Sequence, residues 1–260
     1  MAKTALITGA SSGIGLELAR IFAREKLNLV LVARSGEKLH ELAIELKNEN
    51  IKVTVVAADL ADARATGNIF RTLEQQNISI DFLVNNAGFG DFGFFIEADW
   101  LKMERMINVN ITALTYLTRL FLPAMVKNGF GRIMNVASTA AFQPGPTMSV
   151  YYATKAYVLH FSEAIGNELE GTGVTVTALC PGATESGFQS VAGMEESKLV
   201  KGRKLPTARE VAEYGYKSMM KGKAVAIPGV FNYLLAQAPR FSPRSWVVKV
   251  ARKIQEERKK

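Results

Sequence analysis

The stretch Thr8-Gly9-Ala10-Ser11-Ser12-Gly13-Ile14-Gly15 decides how this 260-residue chain folds. Ahead of it stands the apolar run Ala5-Leu6-Ile7, and behind it residues 16–22 place apolar side chains at helical spacing. A glycine-rich turn between a strand and a helix suits an anion. Backbone without Cβ atoms approaches closely, and the helix N-terminus offers unpaired N–H groups with partial positive charge. The same glycines also serve simply to let a strand pack on a helix. Their spacing, Gly-x3-Gly-x-Gly, differs from the Gly-x-Gly-x2-Gly of the common dinucleotide fingerprint, so the turn needs support from the rest of the chain.

Outward from that turn, short apolar runs alternate with longer amphipathic ones. Strands are expected at 4–8, 28–33, 52–57, 81–85, 131–137, 174–180 and 224–227, and helices near 14–25, 36–49, 61–76, 97–128, 149–170 and 207–221. The alternation predicts an α/β fold, a doubly wound and mainly seven-stranded parallel sheet with helices on both faces. Thr207 and Glu210 spell a capping box, and Gly171 with Gly173 should end the helix that begins near 149. No repeat or low-complexity linker divides residues 1–260, so they read as one domain. Within it a core spans 3–182, an irregular segment at 183–206 reads as a substrate lid, and a basic segment covers 224–260.

Hydrophobic and charged fractions of 48% and 22% describe a globular protein, not a disordered or fibrous one. The single cysteine, Cys180, cannot form an internal disulfide and follows an apolar run, so a buried structural thiol in a reducing, cytoplasmic setting is expected. No signal-peptide pattern precedes the first strand, and no metal site is expected.

The net charge of +8 is unevenly placed. Residues 198–260 hold 16 Lys/Arg against four acids, whereas residues 1–197 hold 16 against 20. Residues 224–239 are uncharged, but the run is shorter than the ~20 residues that span a bilayer and is interrupted by Pro228 and Gly229. The basic tail beyond it contains Trp246-Val247-Val248. The segment is expected to form part of the pocket and a subunit contact; peripheral contact with an anionic membrane is the alternative. Nothing in it resembles a nucleic-acid reading motif.

Tyr151 and Lys155 stand four apart at the start of an expected helix, hence on one face about one turn from each other. A free phenol, with pKa ~10, is a poor acid–base catalyst near neutrality, and a neighbouring ammonium favours its ionised form. Tyr152 has no such lysine and is read as packing. Ser138, the Asn85-Asn86-Ala87-Gly88 stretch and Asp59-Leu60 each end an expected strand, on the edge where parallel sheets hold ligands. Each alone has a turn-forming explanation.

Together these motifs resemble those of the classical short-chain dehydrogenase/reductase family, in order from Lys3 to about Pro206. The resemblance implies a Rossmann-type fold and a nicotinamide cofactor. Gly9, Ser11, Ser12, Gly13, Ile14 and Gly15 match the family's cofactor loop, and Asp59 with Leu60 its adenine side. Asn86, Ala87, Gly88, Pro181, Gly182 and Thr184 match further cofactor positions, with Ser186 an alternative to Thr184 for the carboxamide. Asn110, Ser138, Tyr151 and Lys155 match the catalytic set, and the gap of 13 from Ser138 to Tyr151 is normal for the family. By that resemblance Ser138 holds the substrate oxygen and Tyr151 transfers the proton. Lys155 lowers the tyrosine pKa and bonds the nicotinamide ribose, and Asn110 holds a water of the relay. A homodimer or homotetramer is implied as well.

The second expected strand ends in Ala33-Arg34-Ser35. An NAD site wants an acid there for the ribose 2′-hydroxyl; Arg34 instead suits a 2′-phosphate, so NADP(H) is expected. Phe89, Phe92, Phe94, Phe95 and Trp100 line either a pocket or a core and subunit contact. If a pocket, they favour an apolar carbonyl substrate such as a ketoacyl or sterol-like compound. The expected activity is reduction of a ketone or aldehyde, or the reverse. The alternatives are a non-catalytic nucleotide-binding sensor or scaffold, and an epimerase of the same family.

Overall fold

The computed structural model describes residues 2–193, 202 and 204–255. Seven strands form one parallel sheet: β1 (Thr4–Thr8), β2 (Asn28–Ala33), β3 (Val53–Ala57), β4 (Phe82–Asn85), β5 (Gly131–Val136), β6 (Val174–Leu179) and β7 (Val225–Ala226). Their order is β3-β2-β1-β4-β5-β6-β7. The chain winds outward from β1 to β3, returns to place β4 on the other side of β1, and then winds the opposite way. The order reverses between β1 and β4, and such a reversal opens a crevice at the carboxyl ends of the strands.

Both faces of the sheet are covered, which is why its strands are apolar runs and not alternating patterns. Successive side chains point to opposite faces. Ile7, Leu29, Leu31, Val84 and Leu179 meet Leu18 and Phe22 of α1 (Gly13–Arg24), Leu39 of α2 (Gly36–Glu45) and Val211 of α8 (Ala208–Met220). Leu6, Val30, Val32, Leu83 and Ile133 meet Ile69 of α3 (Ala65–Gln75) and Leu117 and Phe121 of α5 (Leu114–Lys127). Residues 100–127 are long and apolar enough to cross a membrane, yet Leu117, Phe121 and Met125 within them are buried against this sheet.

Several helices differ from the sequence reading. The expected helix at 97–128 is α4 (Trp100–Ile107) and α5 joined through a π-helical turn over Asn108–Ala113. Such wide turns often mark functional positions. The helix at 61–76 begins only at Ala65, because the carboxylates of Asp59 and Asp62 cap the turn before it through Ala61 N (3.0 Å) and Arg64 N (2.9 Å). The capping box forms as read, with Thr207 Oγ1 accepting from Glu210 N and the Glu210 carboxylate accepting from Thr207 N. α6 (Ser149–Glu168) stops before Gly171 and Gly173, both at φ +80. The C-terminal segment is helical where no helix was expected, forming α9 (Val230–Gln237) and α10 (Arg244–Gln255). Of the expected lid, residues 183–193 include the short α7 (Phe188–Ala192), while 194–201 and 203 lie outside the described residues.

Candidate active site

β1 delivers Thr8 and the glycine turn into the crevice. Thr8 Oγ1 accepts from Asn86 N (2.9 Å) and Ala87 N (3.0 Å), and Asn86 Nδ2 donates to Thr8 O (2.9 Å) and Gly9 O (3.3 Å). The turn after β1 and the turn after β4 are thereby stitched together. Gly9 has φ +67, and a Cβ on it would lie 2.7 Å from Asn86 Nδ2; a Cβ on Gly15 would lie 2.3 Å from Gly9 O. Those two glycines make room for the protein's own amide clamp. At the start of α1, exposed Ser12 makes no side-chain cap, and Ser11, Gly13 and Ile14 are half-buried. An uncapped helix start with open N–H groups fits a phosphate.

Arg34 follows β2 at the rim and is exposed. Across from it, Asp59 Oδ2 accepts from Arg105 Nη2 (2.7 Å) and Oδ1 from Ala61 N (3.0 Å). Partial burial works to raise the Asp59 pKa, but Ala61 N–H, Arg105 and the charge of Arg34 together hold it below its ordinary value. Leu60 beside it is buried. Among the described residues Arg34 has no ion-pair partner, whereas Arg105 is paired with Asp59. Arg105 was not singled out in the sequence, since a helix arginine carries no local signal of what it will meet.

Asn85 and Asn86 diverge although adjacent. Asn85 is buried and donates to Thr118 Oγ1 (3.1 Å) and Asn135 Oδ1 (2.9 Å), and Asn135 donates onward to Ser162 Oγ (2.9 Å). It ties β4 to β5 and α5 and does not face the crevice. Asn110, in the π-helical turn, spends its amide on the backbone of Phe89 and on α6. Its Oδ1 accepts from Phe89 N (3.2 Å), and its Nδ2 donates to Phe89 O and Thr154 Oγ1, both at 3.0 Å. A Cβ on Gly88 would sit 3.0 Å from Asn110 Oδ1 and 3.4 Å from Lys155 Nζ, so Gly88 keeps open the space between them.

Ser138 follows β5; its hydroxyl donates to Pro181 O (3.4 Å) and accepts from Ala140 N (3.1 Å). Tyr151 and Lys155 are buried one turn apart on α6. Burial raises the Tyr151 pKa well above that of a free phenol, the nearby Ser138 hydroxyl pulling the other way. Burial lowers Lys155 to about 8, with the Cys180 thiol opposing that shift. Lys155 Nζ donates to Val136 O (2.7 Å) and lies 5.8 Å from the centre of the Tyr151 ring. The phenol is therefore a neutral proton donor at pH 7, while the amine is still mostly charged. Burial pushes Cys180 up to about 12, so its thiol stays protonated and inert.

Pro181 and Gly182 stand beyond β6, with Thr184 Oγ1 donating to Gly182 O (3.0 Å). Ser186, not Thr184, is the hydroxyl residue facing the glycine turn: its Cβ is 3.5 Å from where a Gly13 Cβ would be. The aromatic set divides. Phe89 and Phe92 pack with Met106, Met148, Tyr151, Tyr152 and Phe188, whereas Phe94, Phe95 and Trp100 are exposed. Tyr152 packs as expected but also accepts a hydrogen bond from Gln255 Nε2 at the end of α10. Nothing near Gln255 in the sequence announces that partner, 103 residues away.

Residues 3–196 match the short chain dehydrogenase family model, and the chain belongs to that family. A ketoacyl reductase of Nostoc sp. is 36% identical over 180 residues, 69% of this chain and 63% of the relative. The aligned region thus spans under two thirds of that relative's length. Among solved structures, a short-chain dehydrogenase from Sphingobium yanoikuyae in complex with NADPH superposes with TM-score 0.82 at 35% identity, over 92% of this chain and 91% of that one. The bulky-bulky ketone specific alcohol dehydrogenase from Comamonas testosteroni gives TM-score 0.79 at 31% identity, covering 92% of each.

Proposed function

We propose that the protein is an NADPH-dependent reductase of an apolar ketone or aldehyde. The observation that carries this reading is a buried phenol, Tyr151, held neutral between Ser138 and Lys155 at the crevice, with Phe89, Phe92, Met148 and Phe188 around it. The residues fit a nicotinamide dinucleotide. Ser12, Gly13 and Ile14 would take the pyrophosphate, Arg34 the 2′-phosphate, and Lys155 the nicotinamide ribose. The Sphingobium relative is in complex with NADPH, which supports the choice of cofactor. When bound, the nicotinamide supplies a hydride to the carbonyl carbon.

The chain's own side chains do the rest. Ser138 Oγ, on the rim of the crevice, donates to the carbonyl oxygen and fixes its position. Tyr151 gives its hydroxyl proton to that oxygen as negative charge develops there. Lys155, one turn along α6, stabilises the phenolate left behind, and loss of that cation slows the transfer. Asn110 holds the Phe89 backbone and, by its position beside Gly88 and Lys155, borders the route by which the tyrosine is reprotonated. Ser186 or Thr184 would hold the carboxamide. A homodimer or homotetramer in a reducing compartment completes the proposal.

NADPH oxidation against 3-ketoacyl thioesters, ketosteroids and small polar aldehydes tests it. Turnover of the apolar carbonyls that disappears in Tyr151→Phe is expected. Unchanged turnover in that variant overturns the mechanism.

A further inference from the structure

α10 meets the rest of the chain along one narrow stripe, Val247, Ala251 and Gln255, one residue per turn. Its other faces stand in solvent, with Trp246 68% and Val250 56% exposed. α9 and the turn after it do the same, leaving Phe231 66% and Phe241 87% exposed. Scattered apolar residues on a surface need no partner, but a succession of them along consecutive elements marks a docking face. Interleaved with them are exposed Arg240, Arg244, Lys249 and Lys253, and no acid occurs from residue 214 to 255.

That charge pattern selects the occupant. A second copy bound through the same face would be related by a two-fold axis and would press these cations against one another. A bilayer with anionic headgroups matches both parts at once, accepting the apolar side chains below the headgroup level and pairing the cations with phosphate.

The position of the face gives it a role. The Arg252 guanidinium lies over the Phe94 ring (6.0 Å to its centre), and Gln255 bonds Tyr152, the neighbour of Tyr151. Exposed Phe94, Phe95 and Ile96 extend the apolar surface from there. We propose that α9, α10 and the 94–96 loop dock on an anionic phospholipid bilayer, turning the substrate side of the crevice toward the lipid. An apolar carbonyl compound would then enter from the membrane; this last point rests on the reductase reading, the docking itself does not.

Flotation of the full-length protein with vesicles tests the docking. Vesicles containing about one-third phosphatidylglycerol should carry the protein up, and pure phosphatidylcholine should not. Binding should fall by about tenfold or more in Arg244→Glu/Lys249→Glu, and on raising salt well above ~0.1 M. Phe241→Ser/Trp246→Ser, at exposed positions, should lose binding while keeping the wild-type melting temperature and sedimentation mass. No flotation with either vesicle overturns the proposal. So does a drop in mass in the serine variant without vesicle binding, which makes the face a contact between copies. Vesicle binding without reductase activity leaves the surface standing and sinks the proposed function; activity without binding does the reverse.

Discussion

The crevice and the C-terminal helices treat polar groups in opposite ways. In the crevice nearly every side chain is tied to another element: Thr8 to the turn after β4, Asn86 to Gly9, Asn110 to Phe89 and Thr154, Lys155 to Val136. On α10 Arg244, Lys249, Lys253 and several apolar side chains are exposed, while Val247, Ala251 and Gln255 face the rest of the chain. Geometry is set in advance in the first region, because the Asn86 and Asn110 amides and the Thr8 and Ser138 hydroxyls already have protein partners to orient them. In the second, Trp246, Lys249, Val250 and Lys253 stand in solvent. Catalysis needs fixed atoms; adhesion to a fluid surface does not.

The two regions part most sharply at Tyr151. Tyr151→Phe removes the hydroxyl proposed as the proton donor and should lower kcat by about 10²–10⁴-fold with the fold intact, as circular dichroism and steady-state assays would show. A loss of the fold instead would mean that the hydroxyl is structural, like that of Tyr152. Arg34→Ala should raise the KM for NADPH by roughly 10–100-fold, the size of a lost charge-assisted hydrogen bond, and leave that for NADH nearly unchanged. Equal effects on both would remove the assignment of the 2′-phosphate.

The pH profile is the next largest effect. Lys155 is charged below about 8 and neutral above it, so the reduction rate should be flat to that point and then fall by up to about tenfold per pH unit. Between about 8 and its unperturbed value the folded chain binds fewer protons at this lysine than the unfolded chain does. Its contribution to stability therefore rises as the rate falls, so titration of this lysine does not itself unfold the chain. Lys155→Met should abolish the step; its persistence would assign the titration to another group. The smallest effect sharpens the link between the two regions. Gln255→Ala, which frees α10 from Tyr152, should cost about 1 kcal/mol in thermal unfolding and weaken binding of apolar substrates more than it changes kcat. An unaltered KM would separate the helix from the crevice.

The fold was legible because its signals are local. An apolar run buried on both faces, a glycine turn and an amphipathic stretch repeat along the chain, and each is written in a dozen residues. The parallel doubly wound sheet follows from that repetition, as does the convergence of Ser138, Tyr151 and Lys155 on the edge where strands end. The interrupted helix at 97–128 was not legible, since nothing in its apolar spacing marks the widened turn that points Asn110 at Phe89. Nor were α9 and α10, whose residues read only as an uncharged run and a basic tail. Helices that short are fixed by what they dock against, and that is information the segment itself lacks.

By itself the sequence determined the strand–turn–helix unit at Thr8–Gly15, the class of sheet, the spacing of Tyr151 and Lys155, and the arginine that follows β2. Tertiary structure decided what those residues experience. It packed Gly9 and Gly15 against Asn86 and left Ser12 exposed and uncapped at the start of α1. It turned Tyr151 into a neutral donor, where spacing alone predicts a phenol made more acidic by its lysine. The reason is physical: spacing along a helix is a property of the chain, but burial, and with it the energy of a charge, depends on everything that packs around it.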